Sequence, residues 1–174
     1  MGESIQDRVK IKRGPDRRTH TLRVVSELIE RRKRVLSLYW ELGGLQPFSD
    51  DQPVAQTLKT FCQALVDYVA LGHFELYKRI ETGEERRHEA ISTAKTTFPD
   101  ILDTTQVAVA FNDTYDTDEK VAKHENLKAN LSTLGEALAL RIEQENKLLI
   151  SMMHCRRGTN PLPQKLAATE ELRL

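Results

Sequence analysis

The stretch 127–154, LKANLSTLGEALALRIEQENKLLISMMH, decides the class of fold. Its apolar side chains recur close to a heptad spacing, which places them on one face of an α-helix. We therefore expect one long helix from about Glu119 to His154. Gly135 costs this helix about 1 kcal/mol relative to alanine, which favours a close helix crossing there. Arg141 and Glu145, four residues apart, can pair at the edge of the apolar stripe. The stripe consists of Leu127, Leu131, Leu134, Leu138, Ile142, Leu149 and Met152.

Helical periodicity also dominates the chain before this stretch. Phe98-Pro99 separates two of the expected helices, because the residue before a proline is pushed out of helical geometry. No β-strand alternation occurs, so the predicted fold is all-α: an antiparallel four-helix-type bundle with one or two extra short helices. The expected helices run from Thr21 to Gly43-Gly44, from Pro53 to Ile80, from Glu84 to Thr96, and from Pro99 to Phe111 or Tyr115.

The ends of the chain differ from its middle. Residues 1–20 contain Gly14-Pro15-Asp16 and no apolar periodicity, so they are predicted to form a flexible basic arm. Residues 21–157 are expected to form the helical bundle domain. Residues 158–174, which include two prolines, are predicted to be a flexible tail.

Composition narrows the class of protein. The chain has 174 residues, of which 39% are hydrophobic and 30% charged, as expected of one globular domain. No run approaches the roughly 20 apolar residues of a membrane span, and the polar N-terminus lacks a secretion signal. Only two cysteines are present, Cys62 and Cys155, which is typical of a reducing compartment. We expect a cytoplasmic protein.

The neutral total charge conceals an asymmetry. Residues 1–40 hold eleven Lys/Arg and five Asp/Glu, a net charge of +6, whereas residues 41–174 hold fifteen and twenty-one, a net charge of −6. The run Arg31-Arg32-Lys33-Arg34 is typical of a solvated helix face. Nucleic-acid binding by the N-terminal segment is the alternative interpretation. The acidic remainder would repel DNA but suit a basic protein partner.

Motifs for catalysis or metal binding are not evident in the sequence. A di-iron carboxylate site needs Glu-x-x-His on two helices, and Glu85-x-x-His88 is the only such pair. Zinc-type cysteine pairs, a phosphate-cradling glycine loop and a nucleophile elbow are all lacking. We therefore expect no enzyme activity, metal, cofactor or small-molecule substrate.

The segment 61–80, FCQALVDYVALGHFELYKRI, has a second face, turned away from its main apolar stripe, that carries an acid and a large aromatic side chain. At about 100° per residue, Phe74 lies about 20° from Asp67, on the side opposite the main apolar stripe. Ala70 and Lys78 share this side, while His73 and Tyr77 lie on the shoulder between the two faces. Two interpretations remain: Asp67 and Phe74 pack inside the bundle against a second neighbour, or they form an exposed charged and aromatic contact for a basic partner.

This segment resembles the central signature of the Rsd/AlgQ family, bacterial regulators that bind the primary sigma factor of RNA polymerase. The matching positions read Cys62-Gln63-x-Leu65-Val66-Asp67-Tyr68-x-x-x-Gly72-His73-Phe74-x-x-Tyr77-x-Arg79-Ile80. Further matches are Leu134-Gly135-Glu136-Ala137-Leu138-x-x-Arg141 with Glu145-x-Lys147-Leu148, and, more weakly, Arg31-x-x-Arg34 through Gly44-x-x-Pro47.

The resemblance implies an all-helical anti-sigma factor that holds the C-terminal helix-turn-helix domain of the primary sigma factor and lowers its availability for promoter recognition. By that analogy Asp67 and Phe74 are expected to contact sigma. The residues on the same side and shoulder of the helix are predicted to join them: Ala70, His73, Tyr77 and Lys78. A monomer without direct DNA binding is expected, with a dimer through the heptad-like last helix as the alternative. Two other functions remain open: a DNA-binding regulator that uses the basic N-terminal segment, and a helical adaptor for another signalling protein.

Overall fold

A computed structural model describes residues 15–49, 53–83, 85–117 and 126–153, and within these ranges every regular element is helical. Helix α1 spans Pro15–Gly44. Helix α2 spans Val54–Leu71 and continues through a π-helical turn, Gly72–Tyr77, into the short α3, Lys78–Glu81. Helix α4 spans His88–Thr114 and α5 spans Leu127–Met153.

The four long helical runs form an antiparallel bundle, which confirms the predicted fold class. On each pair of neighbouring helices, contact positions rise along one helix as they fall along the other, so neighbours run in opposite directions. These contacts include Tyr39–Phe61 and Arg31–Asp67 for α1 and α2, Phe61–Phe111 and Tyr77–Phe98 for the second run and α4, Arg141–Thr105 and Asn130–Tyr115 for α5 and α4, and Arg32–Asn146 and Tyr39–Leu131 for α1 and α5.

Helix α4 replaces the two helices expected on either side of Phe98-Pro99, and that expectation was wrong. Pro99 lies inside the helix. Its missing N–H costs a hydrogen bond, but one continuous face is buried on both sides of it, and this packing outweighs the local preference. Phe98 stacks on Tyr77 with ring centroids 5.5 Å apart. The buried face, spaced alternately by four and three residues, is Ala90, Ala94, Thr97, Ile101, Thr104, Ala108 and Phe111.

The first helix begins earlier than expected. It starts at Pro15 rather than Thr21, so residues 15–20 of the predicted arm are helical. Proline is well suited to the first turn, where its missing N–H has no partner to lose. The rest of the predicted arm, the start of the last helix at Glu119 and the predicted tail 158–174 lie outside the described residues.

The predicted close approach at Gly135 is made by a side chain. A Cβ at this position would lie 2.3 Å from the Tyr39 hydroxyl oxygen. That hydroxyl donates a hydrogen bond of 3.0 Å to the carbonyl oxygen of Leu131. Gly135 thus makes room for the Tyr39 side chain of α1 against α5.

Candidate functional site

Asp67 and Phe74 both face solvent. The Phe74 side chain is 61% exposed and that of Asp67 is 57% exposed. His73 and Lys78 are exposed and Ala70 is partly exposed. The packed-inside interpretation is therefore wrong for this pair. We call Asp67, Ala70, His73, Phe74 and Lys78 the α2 patch; at 1.5 Å rise per residue, its acid and its large ring lie about 10 Å apart along the helix.

The aromatic part of the α2 patch has a defined arrangement. The rings of His73 and Phe74 meet edge to face, with centroids 5.1 Å apart and planes at 80°. An exposed benzyl group with a polar ring beside it is the type of anchor that protein interfaces bury. The pair can fill an apolar pocket on a partner while His73 offers a hydrogen bond at its edge.

Helix α1 contributes charge beside the α2 patch. A guanidinium nitrogen of Arg31 lies 3.9 Å from a carboxylate oxygen of Asp67 and 2.7 Å from one of Glu27. All three side chains are more than one-third exposed, so solvent weakens both ion pairs. The longer pair leaves the Asp67 carboxylate able to exchange Arg31 for a cation on a partner.

Tyr77, predicted on the shoulder of the helix, is buried, so its predicted position was wrong. A π-helical turn closes its hydrogen bonds over five residues instead of four, so it accommodates one extra residue and changes the direction of the residues that follow. The turn Gly72–Tyr77 rotates Tyr77 into the core, where it is 4% exposed. Tyr77 is accordingly absent from the α2 patch.

Behind the α2 patch lies a buried polar cluster that the sequence pattern did not reveal. Glu145, which is fully buried, accepts hydrogen bonds from the Tyr68 hydroxyl (2.5 Å) and from Arg32 (2.9 Å) on one oxygen. Its other oxygen accepts from the Tyr77 hydroxyl (2.7 Å) and lies 2.9 Å from Nε of Arg141. We call these five residues the Glu145 cluster. The predicted Arg141–Glu145 pair therefore exists, and both of its side chains are buried in the bundle.

The Glu145 cluster holds two buried guanidinium groups against one carboxylate. Arg141 also donates 2.7 Å to the Thr105 hydroxyl, and its Cζ lies 5.3 Å and 5.9 Å from the ring centres of Tyr68 and Tyr77. These rings stabilise the second positive charge. Burial opposes the charge of Arg32, yet Tyr68 and Glu145 raise its pKa above the usual value. Burial and the Glu145 charge raise the pKa of both tyrosines.

The basic run 31–34 forms the expected solvated face except at Arg32. Arg32 is 2% exposed and belongs to the Glu145 cluster. Arg31 pairs with Glu27, and Lys33 lies 3.3 Å from Glu30. A DNA-binding face needs basic side chains pointing together at the phosphates, and three members of this run lie against three different glutamates.

The described ranges lack the features of a metal site and of a membrane span. These residues contain no group of three or more His, Cys, Asp or Glu side chains that could hold a metal ion. In the same part of the chain, no helix combines the length and the apolar character needed to cross a lipid bilayer.

Comparison with known proteins identifies a family that matches most of this chain. A family model described as "Regulator of RNA polymerase sigma(70) subunit, Rsd/AlgQ" matches residues 9–154. The chain is similar to proteins named "Regulator of sigma D": it is 33% identical to one from Shigella dysenteriae serotype 1, over 84% of this chain and 96% of the relative. Another, from Escherichia coli O6:H1, is 32% identical over the same shares, and one from Salmonella paratyphi B is 34% identical over 74% and 80%. No solved structure matches the chain significantly.

Proposed function

The chain belongs to the Rsd/AlgQ family, and we propose that it is an anti-sigma factor that binds the primary sigma factor of bacterial RNA polymerase. We further assign the contact to the α2 patch. The observation that carries this assignment is the exposure of Phe74 beside the weakly paired carboxylate of Asp67. Large exposed aromatic side chains flanked by charge are the usual anchors of protein interfaces.

The C-terminal helix-turn-helix domain of sigma is the part whose chemistry suits this patch. A domain that reads DNA carries basic side chains on its recognition face. A cation on that face can bind Asp67, and an apolar pocket nearby can accept Phe74. Residues 41–174, which include the whole patch, carry fifteen basic and twenty-one acidic residues, so their net charge of −6 attracts such a domain.

The proposed action is stoichiometric and involves no chemical step. A bound anti-sigma factor covers the DNA-reading face, and by mass action it lowers the concentration of free sigma factor. Such a protein works in the cytoplasm, where RNA polymerase is found. We propose a monomer that forms a one-to-one complex.

The test is binding of the full chain to the isolated C-terminal domain of the primary sigma factor, measured by calorimetry. Phe74→Ala and Asp67→Ala are each expected to weaken the complex by about 1–3 kcal/mol, because an anchor and a charge partner are removed. Trp40→Ala is the matched control. Trp40 is 67% exposed, but it lies nine residues after Arg31, on the opposite side of α1.

Circular dichroism should show unchanged helicity in all three variants, since each changed side chain lies on the surface. If both patch variants bind sigma like wild type, the assignment of the α2 patch fails. The anti-sigma proposal itself is overturned if the wild-type chain does not bind the domain but binds DNA with an affinity that falls steeply as the salt concentration rises.

A further inference from the structure

The π-helical turn, Gly72–Tyr77, joins α2 to α3 within the second helical run. Regular α-helix precedes it up to Leu71 and follows it from Lys78. The turn itself includes both the exposed Phe74 and the buried Tyr77. A π-turn is rarely stable alone and occurs frequently at functional sites, so it needs specific contacts that hold it.

Those contacts come from the Glu145 cluster and from α4. The Tyr77 hydroxyl donates a hydrogen bond of 2.7 Å to Oε1 of Glu145. The Tyr77 ring packs edge to face on Phe98, with centroids 5.5 Å apart. At the other end of the turn, Gly72 leaves room for this ring: a Cβ there would lie 3.2 Å from two Tyr77 atoms and 3.3 Å from Nη2 of Arg141.

The inward direction of Tyr77 goes with the π-turn. In a continuous α-helix, Tyr77 would lie on the shoulder about 80° from Asp67, at about 100° per residue, rather than in the core. The extra residue of the π-turn rotates Tyr77 inward, and Phe74 lies within the same turn. A return to regular helix would therefore change the direction of Phe74 relative to Asp67.

We propose that Tyr77 is a positioning residue for sigma binding: its buried hydrogen bond to Glu145 holds the π-turn and thereby sets the direction in which Phe74 is presented. This inference rests on the proposed function of the α2 patch. It assigns to Tyr77 a role through Phe74 and no contact with the partner.

The experiment compares Tyr77→Phe with Tyr68→Phe. Both changes remove a buried hydroxyl that donates to Glu145, but Tyr68 lies in the regular part of α2. The two variants are expected to lower the urea midpoint by similar amounts. Tyr77→Phe is expected to weaken binding to the sigma C-terminal domain about tenfold, the equivalent of one strong hydrogen bond, and Tyr68→Phe by less than about twofold.

Hydrogen exchange gives a readout that stability alone does not move. The amides of residues 72–78 should exchange faster in Tyr77→Phe than in Tyr68→Phe at equal distance from the unfolding midpoint. Gly72→Ala provides a second route, since its methyl group displaces the Tyr77 ring while the hydroxyl remains. It should also weaken sigma binding, and it keeps the inference testable if Tyr77→Phe does not fold.

Phe74→Ala separates this inference from the proposed function. If Phe74→Ala weakens binding but Tyr77→Phe and Gly72→Ala bind like wild type, the positioning role is refuted and the patch stands. Equal weakening by Tyr68→Phe and Tyr77→Phe would also refute it, because the loss would then reflect the stability of the whole cluster. If Phe74→Ala itself binds like wild type, the proposed function fails first.

Discussion

Asp67 and Glu145 are both carboxylates paired with arginine, yet their surroundings are opposite. Asp67 is 57% exposed and lies 3.9 Å from a single guanidinium nitrogen of Arg31. Glu145 is fully buried, and both of its oxygens are occupied by hydrogen bonds or ion pairs of 2.5–2.9 Å. The same two chemical groups, a carboxylate and a guanidinium, are therefore exposed to solvent at the α2 patch and buried in the Glu145 cluster.

The difference follows from the solvent. Water and ions weaken an exposed ion pair to roughly 0–1 kcal/mol, so Asp67 can change partners at little cost. A buried carboxylate has given up its hydration, so the loss of a partner leaves uncompensated charge in the core. We conclude that the exposed acid is suited to recognition and the buried acid to holding four helical runs in one arrangement.

The largest expected effect is on the stability of the buried cluster. Glu145→Gln leaves Arg32 and Arg141 without a counter-charge in the core, and it should lower the free energy of unfolding by about 3–5 kcal/mol. Urea denaturation followed by circular dichroism measures this loss. Asp67→Asn, the matched exposed change, should stay within about 0.5 kcal/mol of wild type. Equal stability of the two variants would contradict the comparison.

Alkaline pH should weaken the cluster as well. Burial raises the pKa of Tyr68 and Tyr77 above their usual value of 10, so the folded state retains phenol protons that the unfolded chain loses. Their contribution to stability is full below about pH 10 and is lost as the pH rises through the folded-state pKa values. The urea midpoint should therefore stay level up to about pH 10 and fall as the pH rises further. Tyr68→Phe should reduce this fall, and an unchanged slope in that variant would count against the mechanism.

The smallest expected effect concerns the exposed pair. Arg31→Ala releases Asp67 and Glu27 from their shared cation, so the surface beside the α2 patch becomes more negative. Stability should change by less than about 0.5 kcal/mol, while affinity for the basic sigma domain should rise about two- to fivefold at low salt. Calorimetry at two salt concentrations measures this. A loss of affinity instead would mean that Arg31 itself contacts sigma.

Local pattern was sufficient for the fold class and for the side of α2 on which Asp67 and Phe74 lie. The heptad spacing of α5 follows from the constant rotation of an α-helix, and the same rotation places both residues away from the main apolar stripe of α2. The same periodicity continues across Pro99, from Ala94 and Thr97 to Ile101 and Thr104. That continuity favours one helix, whereas the preference of the residue before a proline for non-helical geometry, taken alone, wrongly predicted a break at Phe98-Pro99.

Two features of the site could not be predicted from local sequence pattern: the π-turn and the burial of Arg32. The π-turn interrupts the constant rotation, and no residue pattern in 72–77 predicts it, so Tyr77 was placed on the shoulder of the helix instead of in the core. Arg32 lies within a run of four basic residues, where sequence alone favours solvent. Its burial depends on a carboxylate 113 positions away in the chain.

The sequence by itself determined that this chain is a helical bundle with an acid and an aromatic ring on one side of α2, away from its main apolar stripe. Helical rotation and apolar spacing are local properties that neighbouring residues carry with them. Only the tertiary structure decided which charges are buried and how Glu145 is shared among Arg32, Arg141 and two tyrosines. It also decided where the π-turn interrupts the regular rotation of the second helical run. Those outcomes depend on desolvation and on partners from other helices, which exist only once the bundle has assembled.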